Sequence, residues 1–470
     1  MRMIDMEERQ EKQAPVLMVV DIGGSKYMPG FVDGCGNILY RERREWNTVD
    51  PDSIVRQLIE ALRDICQKQP ELAERAEAGG LTIPGFADPE TGVWVDSDFL
   101  IVKNLPVCRI LEEEFGIPFF ADNDGNACAL SEQYFGGAKD RDTFLYMTVS
   151  TGVGGALFLN GELYYGGFWH AGEIGMFVVE EDGRPSDTGS VNGIVEMYAS
   201  GRALAQNYIE AGGEKEINGK APGGPEISEL AEKGDKAALR ALELEGKYLG
   251  RVIANACAFA DFEKVILGGG VSLMFEQYRE AVEKEFLRCR PGENVEIEAT
   301  GLGYDGAFLG AAAVALRGMK GFEKGPGAGS PSETVLYIRV GKKIEARLEL
   351  GGGVRSIPVR FGSFYVSSGI EESGMTLDEF ASGCDMEVLI KEKENNEKDA
   401  EEKLTRMGSM IGKAAACASV LLDPGRIVVQ GKAVSDNDFQ DALIHILKKE
   451  TYYRGNLPFT VEYEEEKTCW

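Results

Sequence analysis

Two stretches of this chain are copies of one another, and that limits what it can fold into. FLYMTVSTGVGGALFLNGEL at 144–163 aligns with VLYIRVGKKIEARLELGGGV at 335–354 without a gap. Leu145/Leu336, Tyr146/Tyr337, Val149/Val340, Leu157/Leu348, Leu159/Leu350 and Gly161/Gly352 coincide. VEMYASG at 195–201 then matches LDEFASG at 377–383. KVILGGGVS at 264–272 matches RIVVQGKAVS at 426–435 with one extra residue. Matches recurring in one order identify 335–470 as a diverged second copy of roughly 141–300. The competing reading is two unrelated strand–turn–strand units of similar composition.

The rest of the chain alternates between strand and helix signals. VLMVV at 16–20 is a short β-branched apolar run, and GFVDGCGNILYRER adds two strands around a Gly-rich turn. Ile54, Leu58, Leu62 and Ile65 recur at helical spacing. GLTIPG and PFFAD read as strands, LPVCRILEEEF and GNACALSEQYF as helices. In the first copy, 144–163 reads as a hairpin, 211–225 as an exposed loop and 236–260 as a long helix ahead of the KVIL strand. Such alternation indicates an α/β class. The divisions expected are a tail at 1–15, an N-terminal lobe at 16–140, a C-terminal lobe at 141–318, a Gly/Pro/Ser-rich linker at 319–334 and the repeat at 335–470.

Composition excludes several classes. Lys plus Arg is 50 against 78 for Asp plus Glu, and a net charge of −28 disfavours a nucleic-acid partner, which needs a basic footprint. No apolar run approaches the length of a membrane span, and the charged N-terminus lacks a signal core. The nine cysteines are scattered with no CxxC pair, which suits a reducing, cytoplasmic compartment. His170 and His445 are the only histidines, so a His-based metal site or triad has little to draw on.

Chemistry concentrates at strand ends. DIGGSK ends the first strand with Asp21, then Gly23 and Gly24, whose bare backbone can approach phosphate, with Ser25 and Lys26 able to add contacts. STGVGG offers Thr151, Gly152 and Gly154 as a second cradle but lacks the Gly-Lys-Ser/Thr end of a Walker loop. Gly268, Gly269 and Gly270 follow a buried strand and open a helix, a seat for a nucleotide. Each glycine set also reads as a plain turn. ADNDGNA places Asn123 and Asp124 between strand and helix, where a carboxylate can accept a hydroxyl proton. Judged locally, a helix N-cap is the simpler reading of that pair. Glu173 sits between glycines in AGEIG, and Glu196 starts a helix; both can bond sugar hydroxyls or serve as surface carboxylates.

The order DIGGSK, IPG, NDGNA, TGVGG, AGEIG, a Glu before ASG, and GGGVS resembles the repressor–open-reading-frame–kinase (ROK) family over about residues 16–318. That resemblance implies a two-lobed actin-like ATPase fold, related to ribonuclease H, here with a degenerate extra C-terminal lobe. It implies glucokinase-like, ATP- and Mg²⁺-dependent phosphorylation of a hexose or N-acylhexosamine, at O6. Asp124 would be the catalytic base, and Asn123, Glu173 and Glu196 the sugar contacts. Gly23, Gly24, Ser25 and Lys26 would form one phosphate loop, Thr151, Gly152 and Gly154 the other. Gly268, Gly269 and Gly270 would lie along the adenosine, and Asp21 would approach the Mg²⁺ through water.

The departures are as informative. The family's usual structural zinc is held by a histidine and three cysteines. Met176 stands at the histidine position and Ile194 at the last cysteine, in PSDTGSVNGIVE, so no zinc is expected. That histidine also touches sugar in the family, which leaves room for a second reading, a catalytically weak sugar sensor or scaffold. A repressor is disfavoured, because only about fifteen residues precede the first strand, too few for a DNA-binding module. In the second copy, STGVGG has become GKKIEA, GGG has become QGK, and Asp378 stands alone where Glu196 stood. Loss of chemistry with retention of apolar pattern suits a structural role: a monomer imitating a dimer, or else an extension on a homodimer.

Overall fold

The computed structural model describes residues 14–97, 100–187, 189, 191–217, 219–321, 330–351, 355–395, 397–451 and 457–464. The expected tail, apart from residues 14 and 15, and the linker between 322 and 329 lie outside the described residues. The rest divides into two compact units. One holds the described residues of 1–141 and 300–324, the other those of 142–299 and 325–470.

The first unit is built on a mixed sheet in the order Ile38–Arg41, Lys26–Asp33, Val16–Ile22, Ala76–Ile83, Phe119–Asn123. Val16–Ile22 pairs antiparallel with Lys26–Asp33 and parallel with Ala76–Ile83. The first strand lacks polar alternation because both its faces are covered. Met18, Val20 and Ile22 pack with Ile54, Leu58, Leu62 and Ile65 of the helix Pro51–Lys68. Leu17 and Val19 face the other way, against Phe308, Ala311, Ala312 and Ala315. Those four belong to the helix Gly306–Met319, whose small residues let it approach closely. A Cβ on Gly80 would lie 1.9 Å from the carbonyl oxygen of Ala311. This helix therefore sits with the first unit, not with the second as a boundary at 318 implies. Helical periodicity shows that a helix has an apolar stripe but not which sheet receives it. The short meander Phe86–Asp88, Val93–Ser97 and Val102–Leu105 follows the IPG turn and was not evident in the sequence.

The second unit contains two sheets with one topology. In the first copy the order is Glu162–Tyr164, Val153–Leu159, Phe144–Val149, Lys264–Gly268, Glu296–Ala299. In the second it is Arg355–Val359, Ile344–Leu350, Thr334–Val340, Arg426–Gln430, Thr460–Glu464. The registers agree as well. Leu145 pairs with Leu157 and Leu336 with Leu348, and Phe144 pairs with Lys264 as Val335 pairs with Arg426. These are the positions the sequence repeat equates. Each copy also carries a long helix, Lys236–Ala256 and Lys398–Leu422, packed on a shorter one, Phe275–Cys289 and Asn437–Lys449.

The copies pack on each other in a reciprocal way, and one hydrophobic core runs through both. Asn255, near the end of the first long helix, exchanges two hydrogen bonds with the Tyr365 backbone, at 2.9 and 3.1 Å. Its counterpart Cys417 takes a backbone hydrogen bond from Val178, the counterpart of Tyr365. Phe259 packs on Phe177 of its own copy and on Phe361 and Phe364 of the other. Arg251 and Glu285 form a buried ion pair at 2.7 Å, and the guanidiniums of Arg251 and Arg288 lie over the Tyr365 ring. Matched contacts in both directions are the signature of an isologous interface. Among the described residues, no helix is long and apolar enough to cross a membrane.

Candidate functional site

In the first unit, the turn after the opening strand closes with Gly23 N–H donating to the Lys26 carbonyl at 2.8 Å. The indole of Trp46 donates to the Gly23 carbonyl at 2.9 Å and fixes the turn from outside. Gly24, Ser25 and Lys26 are left exposed at its tip. Asp21 points to the same sheet end as Thr82, which donates to one carboxylate oxygen at 2.7 Å. Burial pushes the Asp21 carboxyl up, while the Thr82 bond and the Lys26 charge pull it back.

The strand Phe119–Asn123 delivers Asn123 and the following Asp124 to that sheet end. Asn123 is the N-cap of the helix Asp124–Tyr134, its side chain accepting the Asn126 N–H at 2.7 Å. Asp124 is the first helical residue, and its carboxylate takes the Gly125 N–H at 2.9 Å. The capping role expected of this segment thus falls to Asn123. Asp124 keeps solvent access, yet crowding by surrounding protein atoms holds its carboxyl above the ordinary range. The Gly125 N–H opposes that shift and the negative Asp21 adds to it. Asp122, one residue earlier, is structural: it is buried, accepts Asn126 Nδ2 at 2.9 Å, and faces Arg317 at 3.8 Å.

In the second unit, the 150–154 turn lies against the start of the helix Gly201–Glu210, whose Gly201 N–H donates to the Ser150 carbonyl at 2.6 Å. Helix N-termini are natural anion seats. Thr151 is exposed, and its carbonyl accepts Arg202 Nε at 3.1 Å. Glu196 is half-buried beneath the turn. Its Oε2 accepts the Val153 N–H at 3.0 Å, and a Cβ on Gly152 would come within 2.3 Å of that oxygen. Gly154 faces the Thr148 methyl group. Gly268 and Gly269 leave the central strand where its neighbours are closest. Gly269 has φ 83°, and a Cβ there would meet the Val149 carbonyl at 2.4 Å. Beside Gly270 there is open space.

Glu173 begins the short 3-10 turn Ile174–Met176, and its N–H donates to the Val420 carbonyl of the second copy at 3.1 Å. Met176 packs against the core and Ile194 is buried, its backbone bridging to Val178. The segment that would carry the family's cysteines is tied down by Arg184. That guanidinium donates to the Met197 carbonyl at 2.7 Å, to Asn207 at 2.8 Å and to Glu210 at 2.5 Å, and lies over the Tyr198 ring. Among the described residues no group of three His, Cys, Asp or Glu side chains is arranged to hold a metal. His170 lies in the loop before Glu173, and burial lowers its pKa.

The second copy keeps the frame and exchanges the chemistry. Asp378 accepts the Ile344 N–H at 2.7 Å, the counterpart of the Glu196–Val153 bond. Arg360 occupies the position of Glu173, at the head of the turn Phe361–Ser363, and pairs with Asp261. Gly431, like Gly269, has positive φ and abuts the carbonyl of the strand's last residue, here Val340.

Comparison with known proteins is consistent with this layout. The ROK family model matches residues 17–317. A glucokinase from Thermotoga maritima is 29% identical over 63% of this chain and 96% of its own length. A xylose repressor from Bacillus subtilis is 25% identical over 65% of this chain and 78% of its own length. A ROK family glucokinase from Streptomyces griseus, solved in complex with glucose and AMPPNP, is 28% identical with a TM-score of 0.54, covering 64% of this chain and 99% of that one. The second copy lies beyond the residues the family model matches.

Proposed function

The chain belongs to the ROK family, and from that premise we propose that it is a sugar kinase, transferring the γ-phosphoryl group of ATP to a hexose or N-acylhexosamine hydroxyl, at O6. The observation that carries this reading is the division of labour at 123–124. Asn123 caps the helix, so the Asp124 carboxylate is not consumed by capping. A carboxylate held above its ordinary pKa is a better proton acceptor at neutral pH.

In the reaction, Asp124 accepts the sugar hydroxyl proton as that oxygen forms its bond to the γ-phosphorus. The bond from γ-phosphorus to the bridging oxygen breaks, and ADP leaves with the electron pair. The exposed Gly24–Lys26 tip and the 150–154 turn at a helix N-terminus supply N–H donors and positive charge for phosphate oxygens. Mg²⁺ bound with ATP would neutralise charge on the departing phosphate. Asp21 is the residue to hold it through water, since Thr82 engages one of its two carboxylate oxygens. Glu173 and Glu196 are the sugar-side carboxylates, although Glu196 also holds the 150–154 turn in shape. The relatives support the kinase reading by family and by the glucose and AMPPNP bound to one of them. Met176 at the family's histidine position favours a second reading, a sugar binder with weak turnover. ADP release over a panel of hexoses and N-acetylhexosamines separates the two: turnover on any sugar supports the kinase, and binding without turnover supports the sensor.

We also read the second copy as a built-in partner. Its reciprocal contacts through Asn255/Tyr365 and Cys417/Val178 reproduce within one chain what two subunits would otherwise share.

A further inference from the structure

The loop that leads to Glu173 is hydrogen-bonded to the second copy along its length. Tyr164 donates its hydroxyl to the Leu422 carbonyl at 2.6 Å. Gly167 N–H donates to the Asp423 carbonyl at 2.7 Å, Gly172 N–H to Leu421 at 2.9 Å and Glu173 N–H to Val420 at 3.1 Å. The Asp423 carboxylate accepts two further amides with one oxygen, Phe168 N–H at 2.7 Å and His170 N–H at 3.0 Å. Asp423 is 1% exposed and ends the helix Lys398–Leu422 in the left-handed region, with φ 45°. The loop matches it in shape. Gly166 has φ 78°, and a Cβ there would collide with Asp423 Cβ at 2.5 Å.

The counterpart of Asp423 in the first copy is Asp261, and the contrast is sharp. Asp261 is exposed and makes a surface pair with Arg360, the residue at Glu173's position. An exposed ion pair contributes little, whereas a buried carboxylate accepting two amides fixes a backbone. Among the described residues, the buried carboxylate of this pair is the one facing Glu173.

We propose that Asp423 is a positioning residue for the sugar-side glutamate Glu173, so that the second copy sets the shape of a sugar site whose glutamates belong to the first. The proposal rests on the sugar-kinase reading for Glu173 but not for the loop itself. Asp423 acts through backbone amides and touches neither substrate nor the reacting atoms.

The test compares Asp423→Ala and Asp423→Asn with the unaltered chain. Hydrogen exchange of the Phe168 and His170 amides reads the loop directly and needs no substrate. Asp423→Ala should lose about 10–100-fold in protection at these amides, the scale of hydrogen bonds to a charged acceptor. Asp423→Asn, which keeps an acceptor oxygen, should retain much of it. Sugar KM should rise by about tenfold or more in Asp423→Ala while nucleotide KM stays unchanged, a split that general destabilisation does not produce. Unchanged amide protection in folded Asp423→Ala overturns the proposal. Equal changes in sugar and nucleotide KM overturn it as well. Should Asp423→Ala not fold, Asp423→Gly, which suits φ 45° and also removes the carboxylate, carries the same comparison. Should the unaltered chain turn over no sugar, the kinase reading fails, and amide protection alone decides whether Asp423 shapes the loop.

Discussion

Asn123 caps the helix that Asp124 begins, accepting the Asn126 N–H at 2.7 Å, so the capping bond does not depend on the Asp124 carboxylate. Asp124→Asn should therefore fold normally and bind sugar and nucleotide as before. Turnover should fall by about 10²–10⁴-fold, the usual contribution of a general base. Steady-state ADP release with calorimetric binding checks both halves. Near-unchanged turnover would remove Asp124 from its assigned role.

Glu196 and Asp378 make equivalent bonds, to Val153 N–H and Ile344 N–H, and on the proposed reading Glu196 also meets the sugar. Asp378→Ala should cost about 1–3 kcal/mol of stability, the penalty for orphaning a backbone donor, with kinetics unchanged. Glu196→Ala should lose similar stability and also sugar affinity. Denaturant unfolding beside sugar titration distinguishes them, and identical behaviour of the two variants would show that Glu196 is structural only.

Arg184 anchors the start of the segment where the family resemblance implies a zinc site, bonding to Met197, Asn207 and Glu210 just beyond it. Removing three donors of this kind, Arg184→Ala should lower the melting temperature through a loss of about 2–3 kcal/mol. Chelators should leave it unchanged. Stoichiometric zinc in elemental analysis of the purified chain would contradict this account.

Glu450 is 5% exposed beside the Arg251–Lys413 cavity of about 30 Å³ between the copies. Burial pushes its carboxyl from 4.5 up to about 7, against the pull of Lys413. The fold thus binds this proton more tightly than the unfolded chain does. The stability it contributes is full below pH 4.5 and is lost as pH rises through 7. Glu450→Gln should flatten that slope and gain roughly 1–3 kcal/mol at pH 8, with no gain near pH 4. Unfolding measured across that range is the check, and an equal effect at both ends would mean the proton is not involved.

A chain that carries its own partner should sediment as a monomer at micromolar concentration. A tight dimer joined through the first-copy surface that already meets Tyr365 would refute the built-in-partner reading.

The repeat and its registers were legible in the sequence because apolar alternation survives divergence. Leu145/Leu336 and Leu157/Leu348 face the same cores in both copies. The strand-end glycines were legible too, since close approach at Gly152 and Gly269 admits no side chain. The placement of Gly306–Met319 was not, because an alanine-rich face fits either sheet. Arg184 and Asp423 were also missed. Their partners are backbone groups and side chains brought in by tertiary folding, and no local spacing announces such contacts. Trp94, at the heart of the unforeseen 86–105 meander, is fully buried but follows turn-rich sequence.

In a pair of identical subunits, every change at the shared surface is made twice, once on each side of the axis. Joining the halves in one polypeptide lifts that constraint. Here Asn255 faces Tyr365 on one side while Cys417 faces Val178 on the other, and Glu173 answers to Arg360. Each side can drift alone, and dilution cannot separate them. One half is thus free to become a brace while the other keeps the fine geometry of a site.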